Sequence, residues 1–409
     1  PRLPSGLMTP LAPSQRLQAL PRYLFAELER RRAEAEAAGR EVIDISIGDP
    51  DLPTPPPILE KMAAAAQDGA NHRYPSSAGM LSARREIANW FAARYGVTID
   101  PAKECAMLIG SKEGIGHFPL AVLNPGDEVL MPNPGYPVYF AGAIFAGATP
   151  VRYTLRESNG FLPDLAELDR LATPRTRVVW VNYPNNPTGA MAPRSFYEEL
   201  AVWAERRDLI IASDAAYSEL YYGDPPPSAL EIPAARARTI EFHSFSKTFN
   251  MTGWRLGFAV GAAPLVESLV RLKANVDSGA PQAIQIAASW ALNALLPSHG
   301  PALRAVYRER RDAVVEGLKR LGCPVEAPGG AFYVWARVPE GEMAIDFATR
   351  VFEKTGVMLT PGVGFGDKGE GYFRIALTAS VPVMQQALRL LDGLSPWKAP
   401  HGIAPAASR

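Results

Sequence analysis

The segment Ser244-Phe245-Ser246-Lys247-Thr248-Phe249-Asn250-Met251-Thr252-Gly253-Trp254-Arg255 sets a lysine just past an apolar run, among hydroxyls and ahead of aromatic and glycine residues. A lysine withdrawn from water gives up its proton more readily, and the free amine can condense with an aldehyde. Ser244, Ser246 and Arg255 add two hydroxyls and a fork of N–H donors, a set suited to a phosphate ester. An aldehyde and a phosphate on one small molecule describe pyridoxal 5'-phosphate. Alone, the segment has a plainer explanation as a strand-end lysine in a loop.

Other residues must then supply partners. A pyridinium ring works as an electron sink only while its nitrogen keeps a proton, which asks for an acid at a strand end. Leu209-Ile210-Ile211-Ala212-Ser213-Asp214 is an apolar run ending in such an acid. Tyr217 lies three residues on, and Asn186 sits in Asn185-Asn186-Pro187-Thr188-Gly189; both can donate to the ring's phenolic oxygen. Ala106-Met107-Leu108-Ile109-Gly110-Ser111-Lys112-Glu113-Gly114 reads as strand, glycine turn and helix. The free N–H groups of that helix start, with the Ser111 hydroxyl, form an anion site. Tyr136, after Asn133-Pro134-Gly135, can stack on a flat ring. Taken singly, Asp214 is a helix cap, Asn-Pro-Thr-Gly a turn, Ser111 a capping serine and Tyr136 core filling. Together they follow consecutive strand candidates, and in an α/β sheet such positions converge where ligands bind. Lys247, Asp214 and Tyr217 are thus the candidate catalytic residues, with Lys247 a proton carrier, base and then acid.

The elements that position these groups are short apolar runs bounded by Gly, Pro, Asn or Asp. Val42–Ile47, Ala106–Ile109, Glu128–Met131, Val151–Leu155, Val178–Val181, Leu209–Ala212, Thr239–Phe242 and Leu256–Val260 read as strands buried on both faces. Helical stretches such as Glu198–Arg206, with Ser195 as a candidate cap, lie between several of them, which predicts an α/β fold with a mainly parallel sheet. Gln15–Ala38 reads as one helix closed by Gly39, and Ala302–Leu321 as a long amphipathic helix. Strand candidates Ala331–Val338, Val357–Thr360 and Tyr372–Thr378, with helices Ile345–Lys354 and Pro382–Leu394, suggest a smaller α+β domain. The expected division is a large domain over 48–295, a small one from 16–47 and 296–394, and flexible ends at 1–15 and 395–409.

Composition bounds the rest. Over 409 residues, 42 basic and 42 acidic side chains cancel, leaving none of the basic excess that nucleic-acid binding by phosphate neutralisation needs. No apolar run approaches the roughly 18–20 residues of a membrane span, so no membrane partner is expected. The start Pro1-Arg2-Leu3-Pro4-Ser5 lacks the order of a signal peptide, and a cytoplasmic protein is expected. Cys105 and Cys323 lie far apart without metal spacing, and no metal site is expected. Gly362-Val363-Gly364-Phe365-Gly366 leads into a strand rather than a helix, so it reads as a mobile loop and not a nucleotide loop. Lys273 lies on a helix without the hydroxyls that surround Lys247.

In combination, Asn-Pro-Thr-Gly, Asp-x-x-Tyr and Ser-x-Ser-Lys with an arginine eight residues after the lysine resemble the fold-type I pyridoxal-phosphate aminotransferases of class I/II, over roughly residues 17–391. Gly110-Ser111-Lys112-Glu113-Gly114, Asn182-Tyr183-Pro184-Asn185-Asn186-Pro187, Asp214-Ala215-Ala216-Tyr217-Ser218-Glu219 and Asn250-Met251-Thr252-Gly253-Trp254 are similar to the LL-diaminopimelate aminotransferase branch. The resemblance implies a seven-stranded sheet sandwiched by helices, a small domain built from both chain ends, and a homodimer in which Tyr74 reaches the neighbouring site's phosphate. It further implies that Arg374 clamps the substrate α-carboxylate, and that Tyr23, Gly48, Lys112, Asn186 and Asn275 line the substrate pocket. Phe249, Asn133 and Gly330-Ala331 depart from the frequent pattern; the last bears on the pocket. The substrates implied are LL-2,6-diaminopimelate with the 2-oxoglutarate and glutamate pair. A broad alanine–glutamate transaminase, a C–S lyase or decarboxylase of the same fold, and a non-catalytic binding module are the alternatives.

Overall fold

The structure is a computed structural model that describes residues 12–21 and 24–397, leaving out the side chains of Leu24 and Phe25. It opens with α1 (Gln15–Gln18), α2 (Leu24–Ala37) and the two-residue strand β1 (Ile43–Asp44). Helices α3 (Pro56–Gln67) and α4 (Leu81–Tyr95) precede β2 (Cys105–Leu108). Helix and strand then alternate through α5 (Ser111–Val122), β3 (Glu128–Asn133), α6 (Pro137–Ala146), β4 (Thr149–Thr154), α7 (Leu165–Leu171), β5 (Thr176–Asn182), α8 (Arg194–Arg207) and β6 (Ile210–Asp214). Strand β7 (Thr239–Ser244) runs into the short helix α9 (Phe245–Thr248), and β8 (Gly257–Gly261) returns. After α10 (Ala263–Val276), α11 (Gln282–Ala294) and α12 (Leu296–Arg320) come β9 (Tyr333–Arg337), α13 (Ala344–Thr355), β10 (Val357–Met358), β11 (Thr360–Pro361), β12 (Tyr372–Ala376) and α14 (Val381–Leu394).

Seven strands form the central sheet in the order β2-β8-β7-β6-β5-β3-β4. Every pairing from β4 across to β7 is parallel, whereas β8 runs antiparallel to both β7 and β2. Alternate side chains divide between the faces, as a doubly covered sheet requires. On β5, Val178 and Trp180 join the core under α5, α6 and α10, while Val179 and Val181 join the core under α7 and α8. Phe118 anchors α5 to that first core against Trp180 and Phe242; cutting it back to alanine would cost about 3–5 kcal/mol.

A second body of packed elements draws on both ends of the chain. β1 pairs in parallel with β10, and β11, β12 and β9 form a three-stranded antiparallel sheet. Ile43 and Ile45 share its core with Phe347, Phe373 and Leu391.

Several elements differ from the sequence expectation. The expected strand Val42–Ile47 pairs only at Ile43–Asp44, because the Asp44 carboxylate takes the Ser46 N–H at 2.9 Å and its hydroxyl at 2.7 Å and turns the chain. The expected strand at 357–360 is two strands in two sheets, divided at Leu359. The helix expected over 15–38 is two helices, with Pro21 between them disfavouring helix at its predecessor. Pro193 occupies the N-cap position of α8 without a side-chain cap, and Ser195 lies inside the helix. Helix α12 begins six residues before the expected Ala302 and passes through Pro301; the buried Leu296 holds that added turn while proline removes one hydrogen bond. The Gly362–Gly366 run is no loose loop: Gly362–Phe365 folds into a short 3-10 turn with Phe365 buried, and a second such turn, Asp367–Gly369, follows it. Of the ends expected to be flexible, Ser14 caps α1, and Trp397 packs on Phe347 and Phe373 and donates to the Arg337 carbonyl at 3.2 Å. Residues 1–11 and 398–409 lie outside the described residues. No helix among the described residues is long and apolar enough to cross a membrane.

Candidate active site

Because β2, β3, β5, β6 and β7 share a direction and β8 opposes it, five strand C-termini and the start of β8 meet along one edge of the sheet. A cavity of about 410 Å³ opens there. Its lining includes Gly48, Ser111, Lys112, Tyr136, Asn186, Asp214, Tyr217, Ser244, Ser246, Lys247, Arg255 and Arg374. Residues scattered over more than 300 positions are thereby gathered by the sheet's topology.

One end of the cavity is built for an anion. Helix α5 starts at Ser111 with no side-chain cap from Gly110, the arrangement in which a helix start can take an anion. Gly110 has φ +77°, and a Cβ there would lie 2.5 Å from a guanidinium nitrogen of Arg255. A Cβ on Gly257 would lie 2.6 Å from the Ser111 nitrogen. Two glycines therefore keep clear the space before the helix. Arg255 holds a left-handed backbone, φ 52°, and donates to the Thr252 carbonyl at 2.8 Å.

Deeper in, Asp214 ends β6 with Tyr139 donating to its Oδ2 at 2.7 Å and the Ala216 N–H reaching Oδ1 at 3.2 Å. Burial raises its carboxyl to about 6, against the lowering effect of the Tyr139 bond. Lys247 donates to the Gly48 carbonyl at 2.9 Å. Burial lowers its ammonium to about 8; Arg374 and Arg255 push the same way, while Asp49 and Asp214 oppose them. The site thus holds a base near neutrality and an acid that burial keeps close to its proton.

The second body supplies the opposite wall. Arg374, on β12, donates to Asn186 Oδ1 at 2.9 Å and to the Ser46 carbonyl at 2.7 Å, and its guanidinium lies 4.2 Å from the Tyr333 ring centre and 4.7 Å from that of Phe365. Asn186 is fixed from behind, its N–H bonded to Asn182 Oδ1 at 2.8 Å, while Asn182 Nδ2 donates to the Asp214 carbonyl at 2.8 Å. The Tyr217 and Tyr333 hydroxyls share a hydrogen bond of 2.8 Å.

Of the other expected residues, Asn275 does not line this cavity, and neither does Tyr74, which was assigned to the neighbouring subunit's site. Tyr23 lies outside the described residues. Tyr74 is 86% exposed and outside the lining. Asn275, expected in the pocket, instead stands exposed on α10, its amide turned back to the Arg271 carbonyl at 2.8 Å. Conversely, Glu29, Asp49 and Tyr333 line the cavity without having been singled out. Asp49 follows the expected Gly48 and carried a signal by adjacency; Glu29 sits in a charged helical run and carried none. Tyr139 was equally hidden, since only the fold sets α6 beneath Asp214.

These residues fit pyridoxal phosphate: an anion cup cleared by two glycines, an acid for a ring nitrogen, and a poised amine for an aldehyde. Comparison with known proteins agrees. The profile of Aminotransferase class I and II matches residues 40–391. The chain is 48% identical over 382 residues to an LL-diaminopimelate aminotransferase of Aquifex aeolicus, covering 93% of this chain and 98% of that one. It is 50% identical over 382 residues to the enzyme of the same name from Desulforudis audaxviator, with 93% and 97% covered. Among solved structures, apo-BacF from Bacillus subtilis superposes with a TM-score of 0.92 at 36% identity, over 96% of this chain and 100% of that one. A double mutant of Thermus thermophilus aspartate aminotransferase gives 0.89 at 29% identity, over 94% and 99%. The chain belongs to the class I and II aminotransferases and is a pyridoxal-phosphate-dependent transaminase.

Proposed function

We propose that this transaminase exchanges the amino group of LL-2,6-diaminopimelate with the 2-oxoglutarate and glutamate pair, and that Lys247 is its cofactor-bonding base. The mixed lining of the cavity carries the substrate reading. Lys112 and Arg374 bring cations, and Glu29 and Asp49 bring acids, to one cavity. Diaminopimelate presents a carboxylate and an ammonium at each end, so its far end needs donors and acceptors together. The names of the relatives support the same substrate.

When bound, the cofactor supplies an electron sink for the pair left as the Cα–H bond breaks. The chain's own residues do the rest. Ser111, Ser244, Ser246 and Arg255 would hold the phosphate, with Lys112 beside them; Tyr136 would stack on the ring, and Asp214 would keep the ring nitrogen protonated. Asn186 accepts from Arg374 through Oδ1, which leaves its Nδ2, with the Tyr217 hydroxyl, to donate to the phenolic oxygen. Arg374 fixes the α-carboxylate with its planar fork. Lys247, with an amine near 8, takes the Cα proton and returns it on the far side of the transfer. The division into a 48–295 unit and a unit of 16–47 with 296–394 supports this reading, because Lys247 and Arg374 come from opposite units. The exposed Tyr74 supports a homodimer in which its hydroxyl serves the partner's phosphate; mixing Tyr74→Phe with Lys247→Ala subunits should then restore one working site per hybrid.

The test of substrate is kcat/KM for LL-diaminopimelate, its meso isomer, alanine and aspartate, each against 2-oxoglutarate. A hydrogen-bonding pocket should favour the first sharply. Faster turnover of alanine would overturn the substrate and leave the transaminase standing.

A further inference from the structure

Lys273 has no part in that chemistry, yet its side chain is wholly buried on α10. Its ammonium donates to Glu113 Oε2 at 2.9 Å and lies 3.2 and 3.1 Å from the two Asp277 carboxylate oxygens. Both carboxylates are themselves engaged on the backbone. Glu113 Oε2 accepts the Ile109 N–H at 3.0 Å, and its own N–H bonds the Gly110 carbonyl at 3.2 Å, so this side chain closes the turn before Ser111 from behind. Burial alone would raise the Glu113 carboxyl, but bonds from His117 and Lys273 bring it below its usual value.

Asp277 engages a different segment. Its Oδ1 accepts the Gly279 N–H at 2.8 Å. A Cβ on Gly279 would lie 3.2 Å from Pro75 and 3.3 Å from the Ser76 carbonyl, so this loop lies directly on the stretch that bears Tyr74. Gln282 adds a bond to the Arg73 carbonyl at 2.9 Å. Glu113, His117 and Asp277 offer ligand atoms within 4.8 Å of one another, but the Lys273 ammonium already fills the cation's role, and no metal is invoked.

We propose that Lys273 is a positioning residue for the phosphate end of the site, locking the Gly110–Ser111 turn and the Tyr74 stretch to each other through Glu113 and Asp277. The inference rests on the reading of the Ser111 turn as the phosphate anchor. The ammonium is the hub because it bonds both carboxylates; without it two neighbouring, partly buried anions would repel.

The test uses the full-length chain stripped of cofactor, comparing affinity for pyridoxal phosphate with affinity for pyridoxal, which lacks the phosphate. Backbone hydrogen exchange over 73–80 and 109–113 is read alongside. Lys273→Met should weaken pyridoxal phosphate by about tenfold or more, leave pyridoxal within about twofold, and raise exchange in both segments. Lys273→Arg should recover part of the loss. Equal losses for the two ligands, or unchanged affinity and exchange in a folded variant, would overturn the proposal. If Lys273→Met does not fold, Glu113→Gln, which keeps an acceptor for the Ile109 N–H, is read by the same rule. Failure of both to fold would also overturn it, since the cluster would then serve folding as a whole. A wild-type chain that held both ligands equally would sink the phosphate reading of Ser111 instead, and the exchange measurement would still judge Lys273.

Discussion

Lys247 and Lys273 are both buried, and the protein treats their charges in opposite ways. Lys273 sits between two carboxylates that accept all three of its hydrogen-bonding directions. Lys247 donates to one carbonyl and lies 5.3 Å from the Phe332 ring centre; burial lowers its ammonium to about 8, with Arg374 and Arg255 adding to this against Asp49 and Asp214. A buried charge must be paired or given up. The region behind α5 pairs it; the cavity at the sheet edge only weakens its hold on the proton, which brings the proposed base closer to neutral pH.

That contrast can be broken most forcefully at Lys247. Lys247→Ala should lower turnover by about 10³-fold, within the roughly 10²–10⁴ attributed to a positioned base, while the cofactor-free protein melts no lower than the wild type. A large fall in melting temperature would put Lys247 with Lys273 among structural lysines. Arg374→Lys probes the cavity's other cation. One ammonium cannot reproduce the fork that bonds Asn186, the Ser46 carbonyl and a substrate carboxylate, so kcat/KM should fall roughly 10- to 100-fold for every amino acid tried. A loss confined to one substrate would contradict its role as a general carboxylate clamp.

Asp214 extends the contrast to an acid. In the cofactor-free chain burial lifts its carboxyl from 3.8 to about 6. Between those values the folded state binds more protons than the unfolded one, so this contribution is full below about 3.8 and is lost as pH rises through about 6. The shift corresponds to about 3 kcal/mol. Denaturant titrations at pH 4 and pH 7 should therefore show a smaller stability difference in Asp214→Asn than in the wild type; equal differences would mean that the carboxyl titrates normally. The smallest effect belongs to Lys112, which is exposed at the cavity wall. Lys112→Ala should reduce kcat/KM for diaminopimelate by up to about fivefold, as a solvent-screened ion pair does, and leave alanine unchanged.

Much of this site was legible in the sequence because a parallel sheet converts order along the chain into adjacency at one edge. Gly110, Asn186, Asp214 and Lys247 each follow a strand, so their meeting needed only the topology. What depends on packing between distant elements was not legible. Tyr139 reaches Asp214 only because α6 lies under β6's end, and the Tyr333 bond to Tyr217 joins residues 116 positions apart in the chain. Asn275, which resemblance assigned to the pocket, stands exposed outside its own chain's cavity, with its amide turned to the Arg271 carbonyl one turn back. In the fold, strand existence was readable from apolar runs, but the early end of β1 was not, because the Asp44 side chain competes with the ladder for the Ser46 N–H. That same turn leaves the Ser46 carbonyl for Arg374.

Lys247, and not its better-paired counterpart, is the lysine proposed to bond the cofactor. Borohydride reduction of the enzyme loaded with pyridoxal phosphate, followed by peptide mapping, tests it directly. The pyridoxyl mass should appear on the peptide containing Lys247 and disappear in Lys247→Ala; a wild-type protein modified at Lys273 or another lysine, with Lys247 untouched, would contradict the account.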